Sequence, residues 1–454
     1  MKRSLLLIST VALSGCLGSS LEFPDFKGPS FWSNAPSHGP LYQETSAQDL
    51  QGWWHGFNDP LMGALIEKAL KDSPDRRMAE ARVLEARGLK RTARSSLFPE
   101  IGLSGSTGRE ETVQSAADDY YDARFDASYE IDIFGRNRGR FSAADATLEN
   151  LEAQYQDATL TLIAEVARTY IEMRANEKQT FIAQKNLETQ IQTLELIQTL
   201  REAGENPQLD VERSENLVNT TKASIPEFKR LSENSRLRLA VLVGALPEEL
   251  DNISSVKGDI PGGDVAPVLM SPAKVLALRP DVRAAAANLR AQSDLTEAAI
   301  ADIFPIFTLS GFYGIAENSF ANSTNIWNVA LGAAVTLLDF GRLEGQVDAA
   351  RAREMEAYEL YRKTVLEAVS ELETALNDYA HINEQSALLL KAYENADAAF
   401  NLSKQLFTEG EISFLDVLDA QRTVNDADSA LVNAEAAKAS ALIRLYKSLG
   451  VGPA

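Results

Sequence analysis

The sequence is poor in the residues that form disulfides and metal sites. Its 454 residues include one cysteine and three histidines, so a disulfide within one chain is impossible. None of the histidines, His38, His55 and His381, has a second ligand at the spacing of a known metal motif. A Gly-x-Ser-x-Gly nucleophile motif is also absent from the sequence. We therefore expect a protein that is not an enzyme, with no catalytic residue, no metal and no diffusible cofactor.

Positive charge and long apolar runs are scarce as well. The 44 lysines and arginines are outnumbered by 65 aspartates and glutamates, which gives a formal net charge of −21. Binding to nucleic acid requires a basic face, so no nucleic-acid partner is expected. The sequence contains no apolar run long enough to cross a bilayer as a helix.

The start of the chain carries export signals. Lys2 and Arg3 precede a short apolar run, which ends in Leu-Ser-Gly and Cys16. This order describes a secretory signal peptide, which we place at residues 1–15. The Leu-Ser-Gly-Cys ending resembles the lipobox of bacterial lipoproteins, in which the cysteine becomes the acylated N-terminus; the alternative is an incidental cysteine. We expect a covalent lipid on Cys16 and a lipid-anchored, extended leader over residues 16–60.

The stretch 120–136 alternates strictly between apolar and polar side chains. Odd-numbered residues from Tyr121 to Ile133 are apolar, and even-numbered residues from Asp122 to Asp132 are polar. Strand side chains alternate between two faces, so this segment would have one apolar and one charged face. The pattern is typical of a membrane-spanning β-strand, although strands of soluble antiparallel sheets also alternate.

The same stretch returns 206 positions later. Phe134-Gly135-Arg136 recurs as Phe340-Gly341-Arg342, and Phe98-Pro99 recurs as Phe304-Pro305. Several other pairs share this offset, so the chain is a tandem duplication. The offset is even, so the apolar face continues at odd positions of 327–337. The side chains predicted to face lipid are Tyr121, Phe125, Tyr129, Ile131, Trp327, Val329 and Leu331.

The duplication sets the domain organisation. Each repeat is predicted to contain a helix, two barrel strands, a long helix and a return helix. Heptad spacing in the long helix over some 65 residues predicts a length of roughly 100 Å. The predicted boundaries are repeat 1 at 61–244 with strands at about 100–113 and 119–134, a linker at 245–271, and repeat 2 at 272–454 with strands at about 306–316 and 326–340.

Four strands per chain are too few to close a membrane barrel, since about eight are the minimum. An open sheet would expose unpaired backbone groups in lipid, which is not tolerated. The chain must therefore oligomerise. Three chains would supply twelve strands, although symmetry permits other numbers. The expected fold class is an α+β membrane protein with four barrel strands per chain, long helices and an internal duplication.

Several motifs occur in a fixed order along nearly the whole chain. They are Trp53-Trp54, Phe57-Asn58-Asp59-Pro60, 278–283, the two Phe-Pro pairs, 338–342 and 415–422. In this order they resemble the TolC family of outer-membrane efflux factors, in its lipoprotein subgroup. The resemblance implies a homotrimer in the outer membrane, with a twelve-stranded transmembrane β-barrel and an α-helical barrel through the periplasm. The linker would lie in an equatorial region.

The resemblance also implies a function and partners. The chain would be the outer-membrane channel of a tripartite efflux system, which conducts drugs or other exported substrates. It would dock with a periplasmic adaptor protein and an inner-membrane pump of RND type, and it would contact outer-membrane lipid.

A periplasmic gate is implied at the last turn of the chain. The residues that match the family's ring of leucine and aspartates are Leu415, Asp416, Asp419 and Arg422. Ile412 stands where some members carry an arginine. Only copy two carries the acidic pair, because Asp210 and Arg213 occupy the corresponding positions of copy one. The alternative is plain helix capping, with Ser413 as N-cap and Asp416 completing a capping box.

Two other functions remain open. A structural trimer could hold envelope layers together and conduct nothing, although polar strand faces argue against a solid barrel. A channel could also export a polypeptide or an oligosaccharide rather than small molecules.

Overall fold

The computed structural model of the chain describes residues 28–34, 43–44, 50–112, 115–251, 259–262, 268–318 and 321–453. The predicted signal peptide, the predicted lipidation site Cys16 and parts of the predicted leader and linker lie outside these residues. The described chain divides into two compact units. The first comprises 84–150 and 285–362, and the second comprises 27–83, 151–284 and 363–454.

The elements follow one another in the order of the two repeats. They are β1 (Gln43–Glu44), a 3-10 helix (Trp53–Phe57), α1 (Pro60–Asp72), α2 (Pro74–Ser95), β2 (Glu100–Thr112), β3 (Ser115–Ile131), α3 (Arg136–Glu202), α4 (Gln208–Leu242), a 3-10 helix (Pro247–Leu250), β4 (Val268–Leu269), α5 (Pro272–Leu278), α6 (Pro280–Ala301), β5 (Ile306–Asn318), β6 (Ala321–Ala334), α7 (Arg342–Thr408) and α8 (Phe414–Ser448).

The first unit is built on a four-stranded antiparallel sheet. Its strand order is β2-β3-β5-β6, so β2 and β6 are the two edges. The two hairpins, one from each repeat, meet where β3 pairs with β5. The sheet therefore joins the repeats side by side and leaves one strand of each repeat at an edge.

The second unit contains the large apolar core. The tryptophans before α1 are buried, and Trp53 stacks on Tyr446 of α8 with ring centroids 5.2 Å apart. Met62 and Ile66 of α1 are fully buried in the same cluster. The short parallel pair of β1 and β4 also belongs to this unit.

Both helices predicted ahead of the barrel strands are divided at a proline. The helix predicted at the start of repeat 1 is interrupted at Ser73, and the helix predicted at the start of repeat 2 is interrupted at Arg279. Pro74 and Pro280 follow, and a proline ring disfavours the α conformation in the residue before it. Ser73 and Arg279 accordingly have ψ angles of 126° and 123°.

The barrel strands also differ from their predicted limits. β3 and β6 begin earlier than predicted, at Ser115 and Ala321. β3 ends at Ile131 instead of 134, and β6 ends at Ala334 instead of 340. The early end of β6 follows from its place at the sheet edge, because β5 begins at Ile306, which pairs with Ala334. Residues 335–337 extend past that pair and have no neighbouring strand in the described chain.

Candidate functional site

The sheet of the first unit has an apolar face formed by odd-numbered residues. Phe125 lies opposite Leu103 on one side and Tyr313 on the other. The predicted lipid-facing residues that lie at odd positions of β3 and β6 are Tyr121, Phe125, Tyr129, Ile131, Trp327, Val329 and Leu331. Trp327 and Val329 have about 70 % of their surfaces exposed, at 71 % and 70 %. The structure therefore brings the predicted residues together on one exposed face.

The opposite face of the sheet is polar and internally hydrogen bonded. The Ser104 hydroxyl donates to the Asp126 carboxylate. Arg124 lies 3.2 Å from the same carboxylate, and its guanidinium is 5.3 Å from the ring centroid of Phe312. Even-numbered side chains of β2 and β3 thus form a hydrogen-bonded polar surface, and Phe312 of β5 packs beside it.

The turn between α7 and α8 lies in the second unit and carries the predicted gate. Gly410, with φ of 76°, follows the last turn of α7, and Gly204, with φ of 83°, follows α3 at the matching place. A left-handed conformation at this position is a common way to end a helix and favours glycine. Glycine thus ends both long helices.

Ser413 and Asp416 cap the start of α8. The backbone N–H and the hydroxyl of Ser413 both donate to Asp416 Oδ2, at 3.0 and 2.6 Å. These bonds, chiefly the one from the hydroxyl, hold the pKa of the Asp416 carboxyl below its usual value. The capping box considered as the alternative to a gate is therefore present.

The predicted gate residues lie on one exposed side of α8. They are Leu415, Asp416, Asp419 and Arg422. The other side of the helix carries Phe414, Val417 and Leu418, which are buried in an apolar cluster. Residues three and four apart share a helix face, and all four side chains are exposed although Asp416 also caps the helix.

Copy one has a different arrangement at the corresponding turn. Asp210 is buried, and its carboxylate lies 3.5 Å from Arg213. In copy two, Asp419 replaces that arginine and is exposed. Ile412 is partly buried against the apolar cluster of Phe414, so this position contributes packing rather than a polar latch.

Sequence reasoning missed a buried hydrogen-bond chain in the second unit. Asp59 is the N-cap of α1, and one of its carboxylate oxygens accepts from the backbone N–H groups of Leu61 and Met62. The other carboxylate oxygen of Asp59 accepts a bond of 2.9 Å from the Tyr170 hydroxyl, which accepts one of 2.9 Å from Arg174. Arg174 also binds Glu177 at 2.7 Å. Burial raises the pKa of the Tyr170 hydroxyl, so this group stays protonated as a donor.

A second buried network surrounds Arg279, the residue at the proline break. Its guanidinium binds Asp281 at 2.7 Å, Glu371 at 2.6 Å and the carbonyl oxygen of Ser448 at 2.8 Å. Burial raises the pKa of nearby Asp157, and the charge of Asp281 raises it further. The Arg-Pro-Asp motif seen in the sequence thus fixes a junction between α5, α7 and the end of α8.

The described residues contain neither a candidate metal site nor a candidate membrane-spanning helix. Within the described ranges, no group of three or more His, Cys, Asp or Glu side chains could hold a metal ion. No helix in that part of the chain is both long enough and apolar enough to traverse a bilayer.

Comparison with known proteins identifies similar chains. A family model described as "Outer membrane efflux protein" matches residues 65–245 and 272–451, which correspond to the two repeats. The chain is 30 % identical to the pyoverdine export outer membrane protein OpmQ of Pseudomonas aeruginosa, over 99 % of this chain and 97 % of that protein. It is 28 % identical to the solvent efflux pump outer membrane protein SrpC of Pseudomonas putida, over 99 % and 98 %.

A solved structure is similar over most of its length. The outer-membrane channel OprN superposes with a TM-score of 0.86 and shares 31 % sequence identity. The match covers 94 % of this chain and 98 % of OprN. The likeness therefore extends over both units of the chain.

Proposed function

Because the chain belongs to the outer membrane efflux protein family, we propose that its sheet forms part of an export pore and that the start of α8 lines the periplasmic entrance. Membership of this family establishes the general function of the protein. The protein is the outer-membrane channel of a tripartite efflux system, and it is a transport protein rather than an enzyme. It is a trimer located in the outer membrane that works with an adaptor and an inner-membrane pump. The predicted fold class is confirmed.

The two-faced sheet with two open edges is the observation that supports the pore. Its apolar face is exposed in the single chain, and its other face carries hydrogen-bonded serine, aspartate and arginine side chains of β2 and β3. Lipid does not tolerate unpaired strand edges. Three copies supply twelve strands, an even number within the range of known outer-membrane barrels. Closing the ring with the apolar face outward encloses the polar face around a lumen.

The cargo proposed for this channel is small organic molecules. OpmQ is named for pyoverdine export and SrpC for a solvent efflux pump. These names favour small compounds over a polypeptide or an oligosaccharide. The resemblance of the sequence motifs to the TolC family supports an inner-membrane pump of RND type and a lipid on Cys16.

The gate proposed at the start of α8 rests on exposure and charge. Leu415 is 51 % exposed, and Asp416 and Asp419 are exposed beside it. In copy one, the corresponding Asp210 is buried next to Arg213. A trimer would therefore bring three acidic pairs, all from copy two, to one end of the pore. Such a ring attracts divalent cations and narrows the path.

Planar-bilayer conductance tests both the pore and the gate. Wild-type trimers are expected to conduct ions, and divalent cations should block them. Replacing Asp416→Ala together with Asp419→Ala should raise single-channel conductance and weaken that block, with the trimer still assembled.

Two matched controls separate gating from capping. Ser413→Ala removes the hydroxyl donor to Asp416 but keeps the backbone donor and both acids, and Asp210→Ala changes the corresponding residue of copy one. Both control variants should keep the wild-type conductance and the wild-type block by divalent cations. A wild-type trimer that conducts nothing would refute the channel and favour a solid structural bundle. Unchanged conductance and block in the double variant would show that the acids only cap the helix.

A further inference from the structure

Neither the pore nor the proposed gate uses a cavity that lies between α3, α4 and α8 in the second unit. The cavity has a volume of about 890 Å³, and Tyr393 of α7 and Asp259 of the linker also line it. Small-molecule sites in proteins usually have volumes of about 300 to 1,000 Å³. The residues of α8 that line the cavity begin at Asp428, further along the helix than the proposed gate.

We propose that this cavity binds a small amphiphilic organic anion, a molecule with an aromatic or alkyl body and a carboxylate or sulfonate group. The apolar wall of the cavity contacts the body, and Lys185 and Lys229 bind the anionic group. The inference goes beyond the proposed function, because the site requires neither a closed barrel nor an acidic gate.

The apolar wall is formed chiefly by α3 and α8. Ile182 and Val432 are buried in one apolar cluster, and Leu431, which is also buried, lines the same cavity. Phe181 lines the cavity with 59 % of its surface exposed, and Tyr393 adds a second aromatic ring. Aromatic side chains offer a large apolar area and stack on flat rings. A ligand with an apolar body therefore finds aliphatic and aromatic contacts in one place.

Hydrogen bonds between α3 and α8 fix the shape of the cavity. The buried side chain of Gln179 donates to the carbonyl oxygen of Ser429 at 3.0 Å and accepts from the Ser429 hydroxyl at 3.1 Å. Lys178, the next residue along α3, lines the cavity and binds Glu435 of α8 at 2.9 Å. The two helices are thus held together without a ligand, and such preorganisation lowers the entropy cost of binding one.

Most charged side chains that line the cavity are paired within the chain. The pairs are Glu177 with Arg174, Glu233 with Arg236, and Lys178 with Asp259 and Glu435. Lys185 and Lys229, in contrast, are exposed, and neither forms an ion pair with another residue of the described chain. In a protein with a net charge of −21, two such lysines at one cavity favour an anionic ligand.

Asp428 is the other charged side chain among the described residues that line the cavity, and its charge opposes an anion. Burial raises the pKa of its carboxyl, and Lys185 and Lys178 lower it. Glu435 of α8 and Asp397 of α7 raise the pKa further. A carboxylate here weakens the binding of an anion and would strengthen the binding of a cation. The sign of its effect therefore distinguishes the two classes of ligand.

Three naphthalene compounds of different charge test the site on full-length trimers in lipid nanodiscs. They are the anion 1-naphthoate, the uncharged 1-naphthamide and the cation 1-naphthylmethylammonium. Equilibrium dialysis measures their binding, and the uptake by empty nanodiscs is subtracted. Wild-type trimers should bind 1-naphthoate most tightly. No binding of 1-naphthoate, equal affinity for all three compounds, or a preference for the cation would overturn the proposed site.

Variants at exposed positions locate the binding. Lys185→Gln with Lys229→Gln should weaken the binding of 1-naphthoate by roughly three- to tenfold, the range expected for two exposed ion pairs. The same variant should leave 1-naphthamide unaffected, whereas Phe181→Ala should weaken the binding of both compounds. Lys222→Gln is the matched control, because Lys222 is an exposed lysine of α4 two turns before Lys229 and does not line the cavity.

Asp428→Asn should have the opposite effect to the double lysine variant. It removes the repelling carboxylate, so 1-naphthoate should bind more tightly than to wild type. Weaker binding of 1-naphthoate to Asp428→Asn, or an equal loss in Lys222→Gln and the double lysine variant, would overturn the site. The double lysine variant should keep the wild-type conductance in planar bilayers, so failure of the site leaves the proposed channel intact.

Discussion

Arg174 and Arg279 are almost fully buried, and each is held by oxygen atoms of neighbouring side chains. Arg174 binds the Tyr170 hydroxyl and Glu177, and Arg279 binds Asp281 and Glu371. A buried cation is tolerated only when it is paired and hydrogen bonded. The fold is therefore needed to bring the paired groups together, and the pairs in turn stabilise the fold.

The environment of Asp157 disfavours the charged form of its carboxyl. Burial raises the pKa of its carboxyl, and Asp281 raises it further. The folded-state pKa lies above the unfolded value, so the contribution of this group to stability is greatest at low pH and is lost as pH rises through that interval. Asp157→Asn removes the buried charge. We expect it to increase stability at neutral pH by on the order of 1 kcal/mol, the usual scale of a single substitution.

Thermal unfolding followed by circular dichroism at several pH values measures this effect. The gain in stability of Asp157→Asn over wild type should shrink as the pH falls toward the ordinary pKa of an aspartate. Asp348→Asn changes an exposed acid of α7 and should give no such pH-dependent gain. A variant less stable than wild type at neutral pH would mean that the Asp157 charge stabilises the fold.

The sequence could not reveal how these networks close, because Asp59 lies far along the chain from Tyr170, and Glu371 lies far from Arg279. The cap at Asp59 was predictable, since its signal is local: an aspartate followed by a proline at the first helical position. The whole of α1 and α2, the first hairpin and part of α3 lie between Asp59 and Tyr170 along the chain. No periodicity or short motif connects such positions.

At the scale of elements, the duplication made most of the fold predictable. Elements of copy two repeat those of copy one at a constant offset, so each helix and strand was signalled twice. Two features were missed for local reasons. Ser73 and Arg279 break their helices because a proline follows, and β6 ends early because it is an edge strand. A pattern of side chains identifies strand residues but does not show whether a partner strand is present.

The alternating strands predict opposite responses at adjacent positions of β3. Phe125 lies on the apolar face and is 59 % exposed in the single chain, while Asp126 lies on the polar face. A charge at the middle of a lipid face costs about 2–4 kcal/mol in known barrels. Phe125→Arg should therefore reduce the amount of heat-resistant trimer in the outer membrane.

Asp126→Arg is the matched variant on the polar face. It should assemble, because a water-filled lumen solvates the new charge, and it should change the conductance and ion preference of the channel. Trimer yield on gels and planar-bilayer recordings provide the two measurements. Equal tolerance of arginine at both positions would contradict the assigned faces.

At the scale of the whole molecule, two independent attachments to the outer membrane are expected. One is the barrel, which requires three chains, and the other is the proposed lipid on Cys16, which requires only the N-terminal sequence. A single acyl chain gives weak, reversible membrane binding, and stable anchoring takes more than one chain or a second signal. Loss of the lipid should therefore matter less to a protein that is also held by a barrel.

Cys16→Ala separates the two attachments. The variant should lose incorporation of labelled fatty acid and should leave a precursor that is uncleaved or cleaved elsewhere, since the residue that receives the lipid is gone. Trimers should still form, because closing the barrel requires the strands of three chains and not the lipid. Mass spectrometry of the N-terminus and gels of the outer-membrane fraction measure the two effects. An unmodified wild-type N-terminus at another residue would refute the lipid, and loss of all trimer in Cys16→Ala would show that assembly depends on it.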